Sequence, residues 1–206
     1  MILRQARTAA LMLILMTVLT GLIYPGVITG VAQVVFPNQA DGCFIERDGE
    51  TVGSSLLGQS FVEADTNLTL PGYFRGRPSA ATINDDGTIV SGGSNYGPTN
   101  SALADRVTAD VASIREENAL AVDAEIPVDL VTASGSGVDP DISPASAELQ
   151  VGRVARQRGI TEDQVRDLID DNTSGRVFWF LGEPRVNVLD LNLALDVLAP
   201  LVPAAA

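Results

Sequence analysis

Histidine and lysine are both absent from this chain of 206 residues, and cysteine occurs once. Each gap removes a class of chemistry. Without histidine there is no Ser-His-Asp or Cys-His nucleophile, and the commonest metal ligand and general base is missing. Without lysine there is neither a phosphate-binding P-loop nor an S-x-x-K hydrolase pattern. The lone thiol, Cys43, forms no internal disulfide and reads as a buried or incidental group. Positive charge is scarce as well: 13 arginines stand against 26 acidic residues, a net charge of −13. Nucleic acid and anionic lipid are therefore poor partners, because both require positive charge.

One long apolar run is present. Residues 8–40 carry no charge, and residues 9–24 (AALMLILMTVLTGLIY) are almost wholly apolar. A helix of ~20 such residues crosses the ~30 Å hydrocarbon core of a bilayer. A cleaved signal peptide has a shorter apolar core and a small-residue cleavage site. Tyr24-Pro25-Gly26 is no such site, so the run reads as an uncleaved anchor. Pro25 either kinks the helix or marks its outer end. Arg4 and Arg7 precede the run, whereas the first charges after it are Asp41, Glu46, Arg47, Asp48 and Glu50, with little net positive charge; the part after residue 40 as a whole carries a net of −15. That asymmetry places the N-terminus in the cytoplasm and the remainder outside. Gly21, Gly26 and Gly30 offer small-residue faces for packing against other membrane helices. The expected organisation is a cytoplasmic N-terminus (1–7), a transmembrane helix (8–30), a stalk (31–55), an extracytoplasmic domain (56–199) and a flexible tail (200–206).

The outer part has a core of ordinary single-domain size. Residues 41–55 read as a stalk or first hairpin, and residues 55–61 as a short strand. Two Gly/Pro-rich stretches, 70–81 (LPGYFRGRPSAA) and 91–100 (SGGSNYGPTN), are loops by their turn chemistry. Leu103, Val107, Val111 and Ile114 recur at helical spacing and predict a helix over 99–118, started by Pro98 with Thr99 or Ser101. Residues 126–133 (IPVDLVTA) predict a buried strand. Ser143-Pro144 starts a helix that Gly159 ends, with Leu149, Val151, Val154 and Ala155 inward. Thr161 and Gln164 form a capping box for the next helix, which turns Val165, Leu168 and Ile169 inward. Residues 177–181 (VFWFL) and 185–188 read as strands, and Asp190 opens a last helix. The fold class is a loop-rich, mixed α+β (α/β) soluble domain anchored by one N-terminal transmembrane helix.

Few residues carry catalytic chemistry. Asp139 and Asp141 are the best local carboxylate pair, but Asp flanking a proline is first of all an Asx-turn. Arg75 and Arg77 form the strongest positive spot, either salt-bridged or docking an acidic partner. Asp85-Asp86-Gly87 is a turn, Gly135-x-Gly137 a tight turn, and Glu183-Pro184-Arg185 an ion pair bracing a bend.

Five segments lie in order behind the apolar run: residues 73–80 (YFRGRPSA), 91–100 (SGGSNYGPTN), 126–144 (IPVDLVTASGSGVDPDISP), 150–159 (QVGRVARQRG) and 182–196 (GEPRVNVLDLNLALD). Together they closely resemble the C subunit of the Kdp-type potassium-transporting ATPase, over nearly the whole chain. One departure is visible: where the family usually has histidine, this chain has Asp141. The resemblance implies a subunit that is not itself catalytic. Its partners would be a channel-like potassium-binding subunit, a P-type ATP-hydrolysing subunit and a small single-span subunit, in the inner or plasma membrane. ATP would be used by the complex and K+ transported, with no metal or prosthetic group on this chain. The family's subunit has been described as a catalytic chaperone for ATP binding and as an outer cap on the pump. Candidate partner-contact or motif residues are Arg75, Arg77, Asn95, Asp139, Asp141 and Arg185. The competing readings are a membrane-anchored binding module and a carboxylate-based envelope hydrolase, which needs two facing carboxylates with one raised pKa.

Overall fold

The computed structural model describes residues 2–62 and 69–201, so the expected tail falls outside the described residues except for its first two positions. Two compact units divide the chain, Met1–Ser54 and Ser55–Ala206.

In the first unit the apolar run forms α1 (Ile2–Val18), a π-helical turn (Leu19–Ile23) and α2 (Tyr24–Val35). The helix does not stop at Pro25. Proline has no N–H to offer the preceding turn. That turn is wound wider instead, with the Tyr24 N–H donating to the Leu19 carbonyl five residues back. Thr8 and Thr20 return their hydroxyls to the carbonyls of Arg4 and Met16. This is how a helix hides polar side chains from lipid. Ile2–Val35 spans 34 residues, long and apolar enough to cross a membrane. At 1.5 Å per residue it reaches ~51 Å, more than a hydrocarbon core requires. After a single turn, α3 (Pro37–Ala40), comes a hairpin of β1 (Phe44–Arg47) and β2 (Glu50–Ser54). Asp48 and Gly49 close it with φ of +55° and +83°, the left-handed pair that matches strand twist. Of the two readings of 41–55, the hairpin is the one observed. Cys43 is buried at its base.

The second unit begins irregularly. Residues 55–61 form no strand; Gly58 N–H instead donates to the Val138 carbonyl at 2.8 Å. A two-residue hairpin, β3 (Thr82–Ile83) with β4 (Ile89–Val90), turns through Asp85-Asp86-Gly87. Helix α4 (Ser101–Glu117) is capped by Asn100, whose side chain accepts from Ala102 N–H at 2.9 Å. Residues 126–133 do not extend into a strand. A 3₁₀ turn (Val128–Leu130) buries Leu130 and Val131 there. Asp129 causes the turn-in: it accepts from Ser143 N–H (2.7 Å), Ser143 Oγ (3.1 Å) and Ser146 Oγ (2.7 Å). Burial pushes the Asp129 carboxyl up, but these hydrogen bonds outweigh it and hold it below its ordinary value.

Strand β5 (Asp141–Ile142) leads into α5 (Pro144–Arg158), capped by Ser143 and ended by Gly159 at φ +67°. Helix α6 (Glu162–Asp171) has the Thr161–Gln164 capping box. Strands β6 (Thr173–Ser174) and β7 (Arg185–Asn187) follow, then α7 (Val188–Leu198), which Asn187 caps rather than Asp190. The sheet is antiparallel in the order β5–β7–β6. The main core joins the inner faces of α5, α6 and α7 to Ile142, Val186 and Phe74. A second cluster packs Ile114, Leu130 and Val131 under α4, and Leu149 belongs to it.

Candidate functional site

Residues 71–77, which run into the first motif segment, form an irregular strap across the core. Buried backbone must find partners, and here side chains provide them. Asn192 is fully buried; its Oδ1 accepts from Phe74 N–H at 2.8 Å and its Nδ2 donates to the Phe74 carbonyl at 3.0 Å. Gln150 repeats the pattern one residue on, accepting from Arg75 N–H at 2.8 Å and donating to the Arg75 carbonyl at 3.2 Å. Each amide thus acts as one rung of a strand edge. Arg153 donates to the carbonyls of Pro71 (2.7 Å) and Tyr73 (2.9 Å), and to Asn118 and Gln150. Burial lowers its guanidinium to about 10, so it remains charged at neutral pH. Arg158 donates to the Gly72 carbonyl and Asp196, and lies 4.6 Å above the Tyr73 ring. Sequence reasoning missed these four holders as site residues. The available signal was a polar residue on an apolar helical face, as with Gln150 beside Val151 and Asn192 beside Leu191 and Leu195.

A cleft of about 540 Å³ borders the strap, lined by Gly58, Phe61, Arg75, Arg77 and Asp139 among others. Arg77 pairs with Asp139 at 3.0 Å and reaches the Ala133 carbonyl at 3.4 Å. Asp139 Oδ1 also accepts from Asp141 N–H at 3.1 Å, which is the expected Asx-turn. Asp141 in turn pairs with Arg185 at 2.9 Å. Burial raises the Asp141 carboxyl, against the pull of Arg185, and Asp139 and Asp190 add to the rise. Arg75 faces Glu117 at 3.4 Å and Asp110 at 3.8 Å. Burial raises Asp110 despite Arg75 and Arg106. The floor is tight: Gly137 has φ +74°, and a Cβ there would meet the Gly92 carbonyl oxygen at 2.6 Å. Chemically, the arrangement neutralises charge pair by pair. Among the described residues no group of three or more acidic or sulfur ligands is placed to hold a metal ion.

The structure thus brings Arg75, Arg77 and Asp139 to the cleft, with Asp141 and Arg185 as an adjoining pair. Asn95 does not line it. It sits exposed in the 91–100 loop at φ +54°, donating to the Gly93 carbonyl. The expected Glu183–Arg185 pair is replaced, because Glu183 bonds Arg176 while Arg185 is taken by Asp141. Gly26 and Gly30 share one face of α2, one turn apart, and Gly21 lies in the π-turn. A Cβ on any of the three would meet nothing within 4 Å.

Residues 177–181 overturn another expectation. They form no strand, but an exposed loop closed by a bridge between Val177 and Leu181. Phe178 and Trp179 both have left-handed backbone, φ +50° and +69°. That conformation costs an L-residue ~1–2 kcal/mol.

A family profile described as "K+-transporting ATPase, c chain" (KdpC) matches residues 6–197. The chain belongs to this family. It is 52% identical over 201 residues to the potassium-transporting ATPase KdpC subunit of Gemmatimonas aurantiaca, covering 98% of this chain and 96% of that one. The KdpC subunits of Rhodopseudomonas palustris (49% over 205 residues, 94% and 98% covered) and Methylorubrum extorquens (50% over 208 residues, 96% and 98% covered) are similarly related. The KdpC match runs through the apolar helix, the strap, the cleft and the exposed loop alike.

Proposed function

We propose that this chain is a non-catalytic, single-span subunit of an ATP-driven potassium uptake complex. It stabilises the assembly with a channel-like potassium-binding subunit, an ATP-hydrolysing subunit and a small single-span subunit, and caps the potassium entrance from the outer side. The observation that carries the reading is the braced block itself. Segments far apart in the sequence converge on the strap, and their charged residues are engaged with one another: Arg77 with Asp139, Arg185 with Asp141, Arg75 with Glu117. Such a block suits a rigid contact surface.

Arg4 and Arg7 before the span, against Arg47 alone in residues 36–55 after it, support an N-terminus in the cytoplasm. ATP would then act on the opposite side of the membrane, so any effect on nucleotide affinity runs through the partner subunits. Gly26 and Gly30 give α2 a face that another membrane helix can approach closely. One observation favours the hydrolase reading, the raised Asp141 beside a cleft. Against it, each carboxylate of the pair already holds an arginine.

The test is recovery of the tagged chain from its own membranes in mild detergent. Two larger membrane proteins with K+-stimulated ATP hydrolysis should accompany it. A folded chain emerging alone in good yield would overturn the reading.

A further inference from the structure

We infer that the 177–181 loop is a docking knob that enters an apolar socket on another subunit of the complex. This rests on the reading of the chain as a complex subunit, and names where on this chain one such contact is made.

The loop is exposed as few apolar segments are. Trp179 is 91% exposed, Phe178 68% and Phe180 70%, while Val177 and Leu181 are each half exposed. No side of the tip is turned into the domain. The three aromatic rings alone present on the order of 500 Å² of apolar surface, the size of the largest patch on a typical soluble monomer, which is often functional.

The exposure is built into the loop. Val177 N–H donates to the Leu181 carbonyl at 2.9 Å, Leu181 N–H returns the bond at 3.0 Å, and Trp179 N–H reaches the Arg176 carbonyl at 3.4 Å. The Arg176–Glu183 pair staples the two legs. Below it, Thr173 and Ser174 pair with Val186 and Arg185 in the sheet. Left-handed backbone at Phe178 and Trp179 would suit asparagine or glycine far better. A strained conformation that holds aromatic residues out in water points to a use for them there.

Charge decides between protein and bilayer as occupant. A loop that settles on an anionic membrane surface wants a basic collar. The charged residues on the legs of the loop are Arg176, Glu183 and Arg185, and both arginines are already engaged by carboxylates. The fitting partner is therefore a concave apolar protein surface with an oxygen placed to accept the Trp179 indole N–H.

Trp179 is the chain's one tryptophan, which makes the test direct. The full chain is co-expressed with its complex as wild type, as Trp179→Ala, and with Phe178→Ser, Trp179→Ser and Phe180→Ser together. Trp179→Ala should weaken recovery of the partner subunits ~30-fold or more, as removal of a buried aromatic anchor does, and the triple change should abolish it. Trp179→Gly separates docking from folding: relief of the left-handed strain should raise the melting temperature of the chain while recovery still falls. Undiminished partner recovery with the triple variant overturns the inference alone, whereas failure of the wild-type chain to recover partners overturns the functional reading beneath it. The full chain alone is also placed in phosphatidylcholine vesicles with brominated acyl chains. Unquenched Trp179 emission is expected, and strong quenching would overturn the protein socket in favour of lipid.

Discussion

Replacing Asn192 by leucine should destabilise the domain by about 4 kcal/mol, even though leucine keeps the branching of the side chain. Asn192 and Phe74 are both 0% exposed. The side chain makes two hydrogen bonds to the Phe74 backbone, at 2.8 and 3.0 Å. Leucine would leave one buried N–H and one buried carbonyl without partners, at ~1–3 kcal/mol each. For a domain of this size, ~1 kcal/mol corresponds to ~2–4 °C, so the melting temperature should fall ~8–16 °C. Alanine adds a cavity to the same loss and should be at least as damaging. The assay is thermal and urea unfolding of the full chain in detergent, followed by near-ultraviolet circular dichroism. If leucine matched the native chain within ~1 kcal/mol while alanine did not, the position would matter for packing, and the amide-rung argument would be refuted.

Gly137→Ala should cost ~2 kcal/mol or more, from left-handed backbone and the overlap with Gly92 and Ala81; the urea midpoint measures it. Asp129 sits below its ordinary pKa, so its stabilisation is present above the unfolded carboxylate range and is lost as pH falls through the folded value. Asp129→Asn should accordingly flatten the acid limb of a stability–pH curve, and an unchanged limb would count against the three donors described. Asp141 has the opposite sign: its raised pKa means the native state gains stability as pH falls from above the folded value towards the unfolded one. Asp141→Asn should abolish that gain and leave stability at neutral pH no lower than native, as urea titrations over the same range would reveal.

The helices were legible because their signals are local. Ser143-Pro144 with Gly159, and Thr161 with Gln164, start and stop their helices within a few residues. The short apolar runs were not, since composition alone does not separate a strand from a buried turn or an exposed tip. At 126–133 the deciding contact is Asp129 reaching Ser143, 14 residues away. At 177–181 two left-handed residues override strand propensity. The cleft was half legible. Arg75, Arg77 and Asp139 stood out as charges in motif segments, whereas Asn192 lies 118 residues from the backbone it holds. No local pattern records such a distance. Local propensity also misplaced two caps, because Asn100 and Asn187 held the position expected of neighbouring Thr99 or Ser101 and of Asp190.

The strap held by Asn192, Gln150, Arg153 and Arg158 has a consequence for how this fold tolerates change. A strand in a ladder can slip by two residues and find equivalent partners, because backbone repeats. Here each holder grips a different residue from its own place in the fold: Asn192 takes Phe74, Gln150 takes Arg75, and Arg153 takes Pro71 and Tyr73. The segment is keyed like a lock with unequal pins, so it has one setting and no neighbouring one. A single inserted or deleted residue between Pro71 and Arg75 would unseat every pin at once, while the Asp85-Asp86-Gly87 hairpin tip should accept extra residues freely. Length variation in this chain is thereby channelled away from the cleft and into its outer turns.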